Sequence, residues 1–272
     1  MKKLLTLLLV ATIFSACGEN VEEKASSKLQ LAAEAFAANN FNEAKIQIDS
    51  IKILYPKAIN ARKEGIKLLQ QVELKEQQQS LAYLDSMLTE KQAGFEAIKG
   101  KFTLEKNEEY QEVGNYFWPT QIVEKNLHRA YLRFQVNELG KMLMTSIYCG
   151  KNSIHHTAVK VSIADGTFAE TPPSKDIYET TDLDEKIEKA DYPIGEDGNV
   201  MGFIYLNNDK NIRVEYLGDK KFNTNMTKAD KEALVNIYEL AQFLSAIEQI
   251  KTEQKEALLK IRFIEERMSK NE

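Results

Sequence analysis

Three histidines are the side chains in this sequence best suited to bind a metal ion. His128 stands alone, whereas His155 and His156 are adjacent and follow Cys149 by six and seven residues. A structural zinc site needs three or four ligands that converge on one ion. Neighbouring residues of a strand point to opposite faces, so His155 and His156 would not share an ion. The spacing therefore predicts histidines in loops or edge strands, with no metal site and no cofactor.

Nucleophilic catalysis has little support in the sequence. It contains no Gly-x-Ser-x-Gly elbow, no Gly-x-Gly-x-x-Gly motif and no phosphate-binding loop. Cys149 with His155 or His156 lacks a third group that would orient the imidazole. Cys149 also lies in a strand-like run, where we expect a small buried hydrophobic side chain. The sequence thus predicts no catalytic residue.

Carboxylates are abundant, but most of them have lysine neighbours. Glu185 and Glu188 stand beside Lys186 and Lys189. This pattern predicts solvated ion pairs on a helix face, each contributing about 0.2–0.5 kcal/mol. The two carboxylates of a glycosidase can be far apart in the chain, so an envelope hydrolase stays open as an alternative.

The densest aromatic run is Tyr116, Phe117 and Trp118, followed by Pro119. Such a run could stack on a sugar or anchor another protein. Large aromatic side chains more often fill a core, so we expect this run to pack at the entry to a β domain. These three residues are nevertheless the candidates for ligand or partner contact, with a glycan as a possible ligand.

Charge and cysteine content limit the partners and the compartment. The chain has a formal charge of −5, and removing residues 1–16 takes away two lysines and no acid. An acidic chain gives no electrostatic reason to bind nucleic acid. Cys17 and Cys149 are the two cysteines. If Cys17 is modified, the fold has no disulfide and depends on its core alone.

The N-terminus has the organisation of an export signal. Two lysines at positions 2 and 3 precede an uncharged, mostly apolar stretch from Leu4 to Phe14. That stretch is shorter than the roughly 20 residues that a membrane-spanning helix needs, but it fits the h-region of a signal peptide. Residues 14–18, Phe-Ser-Ala-Cys-Gly, resemble the lipobox of bacterial lipoproteins. The resemblance implies cleavage before Cys17 and lipid on its thiol.

The residues after Cys17 indicate the membrane in which the lipid anchor would be held. Position 18 is Gly rather than the Asp that resembles an inner-membrane retention signal, which favours the outer membrane. The acidic stretch 19–23 resembles sequences that direct some lipoproteins to the cell surface. We therefore expect residues 1–16 to be a signal peptide, residues 17–23 a lipidated tether, and the protein to be anchored in the bacterial cell envelope.

Residues 24–57 predict a helical hairpin. Apolar residues recur at helical spacing, Asn39-Asn40 interrupts them, and Tyr55-Pro56 ends them, because a residue before proline avoids the α region. The segment resembles a single tetratricopeptide repeat (TPR), matching at Leu31, Ala32, Ala35, Phe41, Ala44, Ile48 and Pro56. One such repeat cannot bury its own face, so it must pack on the next helix or on a partner.

Two long helices are predicted on either side of a β-rich segment. Residues 58–102 and 225–272 carry narrow apolar seams, and Thr227 with Asp230 predicts the N-cap of the second helix. We expect residues 66–98 to contact residues 234–268 in an antiparallel coiled-coil-like stalk. The alternative is that each helix packs separately onto the middle domain.

The middle segment, 103–224, predicts a β domain inserted between the two helices. Residues 131–136, 142–149, 158–163, 176–181, 187–192 and 212–216 resemble short strands, and Ala164-Asp165-Gly166 is a hairpin signal. Residues 200–206 suit either a strand or a helical turn. The expected fold class is α+β, with an N-terminal helical hairpin and an antiparallel β-sandwich or barrel-like domain.

The arrangement resembles uncharacterised bacterial lipoproteins, and that resemblance implies no activity. We expect a non-enzymatic envelope protein that acts as a scaffold or adaptor for protein partners. A glycan-binding lipoprotein that uses the β domain, and an envelope hydrolase without a recognisable motif, are the alternatives. A partner role predicts an exposed apolar patch, glycan binding predicts exposed aromatics on one β face, and a hydrolase predicts carboxylates with shifted pKa values in a pocket.

Overall fold

A computed structural model describes the backbone of residues 16–270 and the side chains of residues 21–270. The predicted signal peptide and the side chain of Cys17 lie outside the described part. The chain forms two compact units. The helical unit contains residues up to Ser86 together with those from Thr252 onward, and the β unit contains Met87–Lys251. Among the described residues, no helix is long and apolar enough to cross a membrane.

The helical unit begins with the predicted hairpin. Helix α1 spans Ala16–Ala37, α2 spans Phe41–Leu54, and the first part of α3 (Ile59–Lys99) follows. The break falls where the sequence predicts it, because Asn40 caps α2 by accepting a hydrogen bond from the Glu43 backbone N–H. Small and branched side chains from all three helices form two core clusters, which are Ala25, Ile51, Ala58 and Ala61, and Ala32, Ala44, Ile48 and Val72.

The two long helices, α3 and α5 (Lys228–Lys270), contact each other in both units. In the helical unit, Gln254 donates a hydrogen bond of 2.7 Å to Asp85. In the β unit, the ring of Phe243 lies against Gly94, where a Cβ would be only 2.4 Å from it. The predicted contact between residues 66–98 and 234–268 is therefore present.

The β unit contains ten strands in two antiparallel sheets. The six-stranded sheet has the order β1-β2-β3-β4-β8-β7, and the four-stranded sheet has the order β10-β9-β5-β6. The strands are β1 (Thr103–Glu105), β2 (Asn115–Phe117), β3 (Tyr131–Asn137), β4 (Met142–Gly150), β5 (Ala158–Ser162), β6 (Phe168–Glu170), β7 (Asp176–Asp182), β8 (Glu185–Pro193), β9 (Arg213–Leu217) and β10 (Phe222–Asn225). The α+β class is confirmed. Residues Val200–Leu206 form a helix, α4.

One core joins both sheets to α4 and α5. Alternate residues of β3, β4 and β8 point into it, and so do Leu234, Ile237 and Leu240 of α5. Because α5 contributes to this core, the β unit begins and ends inside the long helices, at 87 and 251, rather than at residues 103 and 224. The helix starts at the predicted cap, where Asp230 and Thr227 exchange hydrogen bonds between side chain and backbone.

Candidate functional site

A fully buried Ser–His–Glu chain lies in the core of the β unit. The Oγ of Ser146 is 2.7 Å from Nε2 of His156, and Nδ1 of His156 is 3.0 Å from Oε2 of Glu188. The exposed fraction is 0% for Ser146 and His156 and 1% for Glu188. Serine hydroxyl, imidazole and carboxylate follow one another as in hydrolase triads. Since the serine is buried, its hydroxyl cannot reach a substrate in solution.

The carboxylate of Glu188 fixes the segment that carries the two histidines. Its Oε1 accepts the backbone N–H of Ile154 and of His155, and its Oε2 accepts that of His156. Burial raises the pKa of Glu188, but the hydrogen bonds from these three N–H groups and from the His156 ring outweigh burial and leave the pKa lowered. Burial lowers the pKa of His156 despite the bond to Glu188. A charged Glu188 and a neutral His156 therefore brace the core.

This position of Glu188 corrects the prediction of a solvated helix face. Glu188 lies on strand β8, where Ala190 and Tyr192 alternate with it toward the core. The period-two pattern of residues 188, 190 and 192 was a signal in the sequence, and the neighbouring lysines obscured it. The hydrogen-bond partners of Glu188 could not be read from the sequence, since they belong to another segment, residues 154–156.

The other two histidines are exposed and each contacts a glutamate. His155 lies 2.9 Å from Glu179, and His128 lies 2.5 Å from Glu185. Within the described chain, His155, Glu179 and Glu188 form the one group whose three ligand atoms lie close enough to hold a metal ion, all within 4.8 Å. Both oxygens of Glu188 already accept hydrogen bonds, so an ion would have to displace them.

A small pocket lies on the outer face of the six-stranded sheet. It measures about 120 Å³ and contains Cys149, His128 and Glu185 beside an apolar floor of Ile147 and Ile187. Cys149 donates a hydrogen bond of 3.4 Å to Glu185. Burial and this bond raise the pKa of the Cys149 thiol to about 11. The thiol is consequently protonated at neutral pH and is a poor nucleophile.

The aromatic candidates lie at the boundary of the β-unit core. Phe117 is buried, whereas Tyr116 packs at 6.1 Å on Phe95 and Trp118 at 5.3 Å on Phe102, both with edge-on rings. This agrees with the expectation that the run packs at the entry to the β domain. A role in ligand or partner contact stays a prediction.

A groove in the helical unit, called the hairpin groove here, lies between α2 and α3. It measures about 210 Å³, and its apolar lining is Ile48, Ile51, Ile66 and Leu69. Exposed isoleucines continue along both helices. Ile53 on α2 is 73% exposed and Ile59 on α3 is 65% exposed, and Ile46, Leu54 and Ile66 are also exposed. Contiguous exposed apolar surface is a general feature of protein interaction sites.

Resemblance to known proteins does not identify the function of the chain. No family model, no curated protein and no solved structure gives a significant match to the chain.

Proposed function

We propose that the protein is a non-enzymatic, lipid-anchored adaptor of the bacterial cell envelope, and that it binds an amphipathic helix of a partner protein in the hairpin groove. The observation that carries the proposal is the apolar lining of the hairpin groove, together with the exposed Ile59 and Ile66 on α3. The localisation part rests on the sequence, in which a signal-like segment precedes Cys17.

The spacing of the exposed side chains favours a helical partner. Ile46 and Ile53 are seven residues apart on α2, and Ile59 and Ile66 are seven apart on α3. Seven residues make about two helical turns, so each pair lies on one face of its helix. The Ile59–Ile66 stripe, beside the apolar lining of the groove, matches the apolar face of a third helix. In arrays of TPR-like hairpins, the following repeat covers such a face.

The charges of the groove narrow the chemistry of the partner. Lys52, Arg62 and Asp49 contribute to its lining. With two cations and one carboxylate there, the best-matched partner helix carries acidic residues beside its apolar stripe. Each exposed isoleucine that the partner covers would contribute roughly 1.5–3 kcal/mol if fully buried.

Site-specific photocrosslinking in the envelope of the native host tests this function. A photoreactive side chain at Ile66 should capture a partner whose crosslinked peptide, identified by mass spectrometry, is an amphipathic helix. The same group at Gln78, an exposed position farther along α3, is the matched control. Ile66→Glu should abolish capture from the exposed position one stripe residue away, Ile59, whereas Ile66→Leu should keep it. A crosslink to a second copy of this chain, or an equal yield from Gln78, would contradict the proposal.

The anchor has its own test. Cys17→Ser should move the protein from the membrane fraction to the soluble fraction and remove the mass of the attached acyl chains. Separating inner from outer membranes then tests the expected outer-membrane location. Unchanged mass and unchanged fractionation for Cys17→Ser would disprove lipidation at Cys17.

A second candidate, an envelope hydrolase acting on a glycan, is favoured by one groove of the β unit. Asp176 and Asp191 are paired in register across β7 and β8 and line a groove of about 610 Å³. Burial, and then the charge of Asp176, raise the pKa of Asp191 although Thr145 donates a hydrogen bond to it. A carboxylate with a raised pKa beside a second one suits general acid catalysis. Release of soluble fragments from purified cell walls, lost in Asp191→Asn, would support this candidate over the adaptor.

The structure gives less support to a protein that only binds glycans through exposed aromatic side chains. Phe168 and Tyr178 are exposed strand residues, but they lie on different sheets, on β6 and β7. Trp118 packs on Phe102. A stacking platform for sugars needs aromatic faces on one surface.

A further inference from the structure

Strand β7 is an unusually open edge of the six-stranded sheet. It has seven residues, whereas the other three edge strands, β1, β6 and β10, have three, three and four. Its pairing with β8 runs one to one from Asp176 to Asp182 without a bulge. The strand contains no proline and no lysine, which are the residues that commonly protect a sheet edge.

The turn after β7 shows which backbone groups point outward. Leu183 and Asp184 join β7 to β8 as a two-residue turn with φ of 45° and 66°, the backbone of a type I′ hairpin. In such a hairpin the closing residues, here Asp182 and Glu185, exchange backbone hydrogen bonds. Hydrogen-bonded pairs recur at every second residue back from Asp182 along the register. The residues in between, Ile177, Glu179 and Thr181, therefore direct their backbone N–H and C=O groups away from β8. Among residues 21–270, no other backbone group bonds to these three.

Acidic side chains define what this edge can accept. Asp176, Glu179 and Asp182 are spaced along β7. A second copy paired antiparallel about Glu179 would place Glu179 opposite Glu179 and Asp176 opposite Asp182, and like charges directly opposite are destabilising. A strand with lysine or arginine at those positions would form cross-strand ion pairs instead. The edge thus disfavours its own copy and fits a basic segment.

Nearby basic residues do not neutralise the acidic side chains of β7. Lys186 donates to Thr181, and Lys189 lies over the ring of Tyr178 at 5.9 Å, so both are held on β8. Glu179 also contacts His155 at 2.9 Å. Exposed Ile177 and Tyr178 offer apolar contact on opposite faces of the strand, because successive side chains of a strand alternate.

We propose that β7 is a docking edge that takes an extended, basic segment of a partner protein as an additional strand of the six-stranded sheet. Backbone hydrogen bonds to Ile177, Glu179 and Thr181 would provide affinity, and the three carboxylates would select lysine or arginine. This surface belongs to the β unit and stands independently of the hairpin groove.

A pair of synthetic peptides tests the edge. The first, acetyl-KTVKVTK-amide with a fluorescent label, places lysines three residues apart to match Asp176, Glu179 and Asp182, and the second replaces every lysine with glutamate. Anisotropy titration with the full mature chain carrying Cys17→Ser should detect the lysine peptide at least tenfold more tightly than the glutamate peptide. Hydrogen exchange should slow at the amides of Ile177, Glu179 and Thr181 when the lysine peptide is bound.

Two variants separate strand addition from general attraction of charges. Thr181→Pro removes an outward N–H that β8 does not use, so the sheet keeps its internal ladder while the edge is blocked. It should weaken binding of the lysine peptide at least tenfold, whereas Thr181→Ala should not. The double variant Glu179→Lys, Asp182→Lys should reverse the preference between the two peptides.

A change in the peptide alone covers the case in which Thr181→Pro fails to fold. N-methylation of alternate peptide amides keeps the charge and blocks strand pairing, so it should abolish binding to the unaltered protein. Equal binding of the lysine and glutamate peptides, unchanged binding after N-methylation, or slowed exchange away from β7 would each overturn the proposal.

Discussion

The ring of His156 and the carboxylate of Glu188 are hydrogen-bonded at 3.0 Å inside the core of the β unit, where neither is more than 1% exposed. Glu188 also holds the backbone N–H groups of Ile154, His155 and His156. One buried charge therefore satisfies four donors from a segment more than thirty residues away in sequence. Such a group is costly to remove, because its partners would be left without acceptors.

Substitution of Glu188 should cause a large loss of stability. Glu188→Gln keeps the shape but removes the charge and one acceptor, so we expect the free energy of unfolding to fall by about 3 kcal/mol. Urea denaturation followed by circular dichroism measures this loss. Glu179→Gln, which alters the exposed pair with His155, should cost much less, because solvent screens an exposed ion pair. Equal losses in the two variants would show that the buried hydrogen bonds do not brace the core.

Acidification should destabilise the β unit through both members of this pair. The pKa of His156 is lowered from 6.5 by burial, so the unfolded chain takes up a proton at a higher pH than the folded chain does. The pKa of Glu188 is lowered from 4.5, since the hydrogen bonds it accepts outweigh its burial. Because the unfolded state then binds more protons, the free energy of unfolding should decrease as pH falls below 6.5, and decrease further below 4.5.

Urea titrations at a series of pH values measure this dependence. His156→Gln should be less stable at neutral pH, but its free energy of unfolding should change less just below pH 6.5. His155→Gln is the matched control. The hydrogen bond that the His155 ring donates to Glu179 raises the pKa of His155, so any stability that His155 contributes is lost as pH rises above 6.5. If the free energy of unfolding of His156→Gln changes with pH below 6.5 as steeply as that of the unaltered protein, His156 is not the group that causes this dependence.

The thiol of Cys149 should react slowly in the folded protein. Burial and the Glu185 hydrogen bond raise its pKa from 9.0 to about 11, which reduces the thiolate fraction at pH 8 about 100-fold. Reaction of the Cys17→Ser chain with a thiol reagent, followed at pH 8 with and without urea, should show that difference. Glu185→Gln removes the carboxylate and should accelerate the reaction of the folded protein. A rate unaffected by unfolding would disprove the raised pKa.

Gly140 should tolerate no side chain. Its φ is +77°, and a Cβ there would lie 2.2 Å from the backbone nitrogen of Ser245 in α5. Gly140→Ala should therefore destabilise the protein by at least about 3 kcal/mol, from backbone strain together with displacement of α5. Gly166 has a similar φ of +88° but open space around it, so Gly166→Ala should cost only about 1–2 kcal/mol. Thermal unfolding of both variants measures the difference. Equal decreases in the unfolding temperature would contradict the close approach of the Gly140 turn to α5.

The sequence by itself determined the features that depend on neighbouring residues. The break at Asn39-Asn40, the Thr227–Asp230 cap and the alternating strands β3 and β9 appear where the residue pattern predicts them. A cap, a turn or the period of an apolar face involves only a few consecutive residues, so local composition suffices to specify it. The class of the fold followed from the order of these elements.

Only the tertiary structure decided which groups meet across the chain. Strands β1, β2, β6 and β10 have three or four residues and little pattern of their own, and they are defined by their partners. The helix α4, the buried Glu188 and the open edge of β7 likewise depend on pairing and packing between distant segments. Burial of a polar side chain is decided by whether partners surround it. Glu188 meets the ring of His156, itself bonded to Ser146, only when the segment before β5 folds against the paired strands β4 and β8. For that reason the candidate surfaces, unlike the elements that carry them, came from the folded structure.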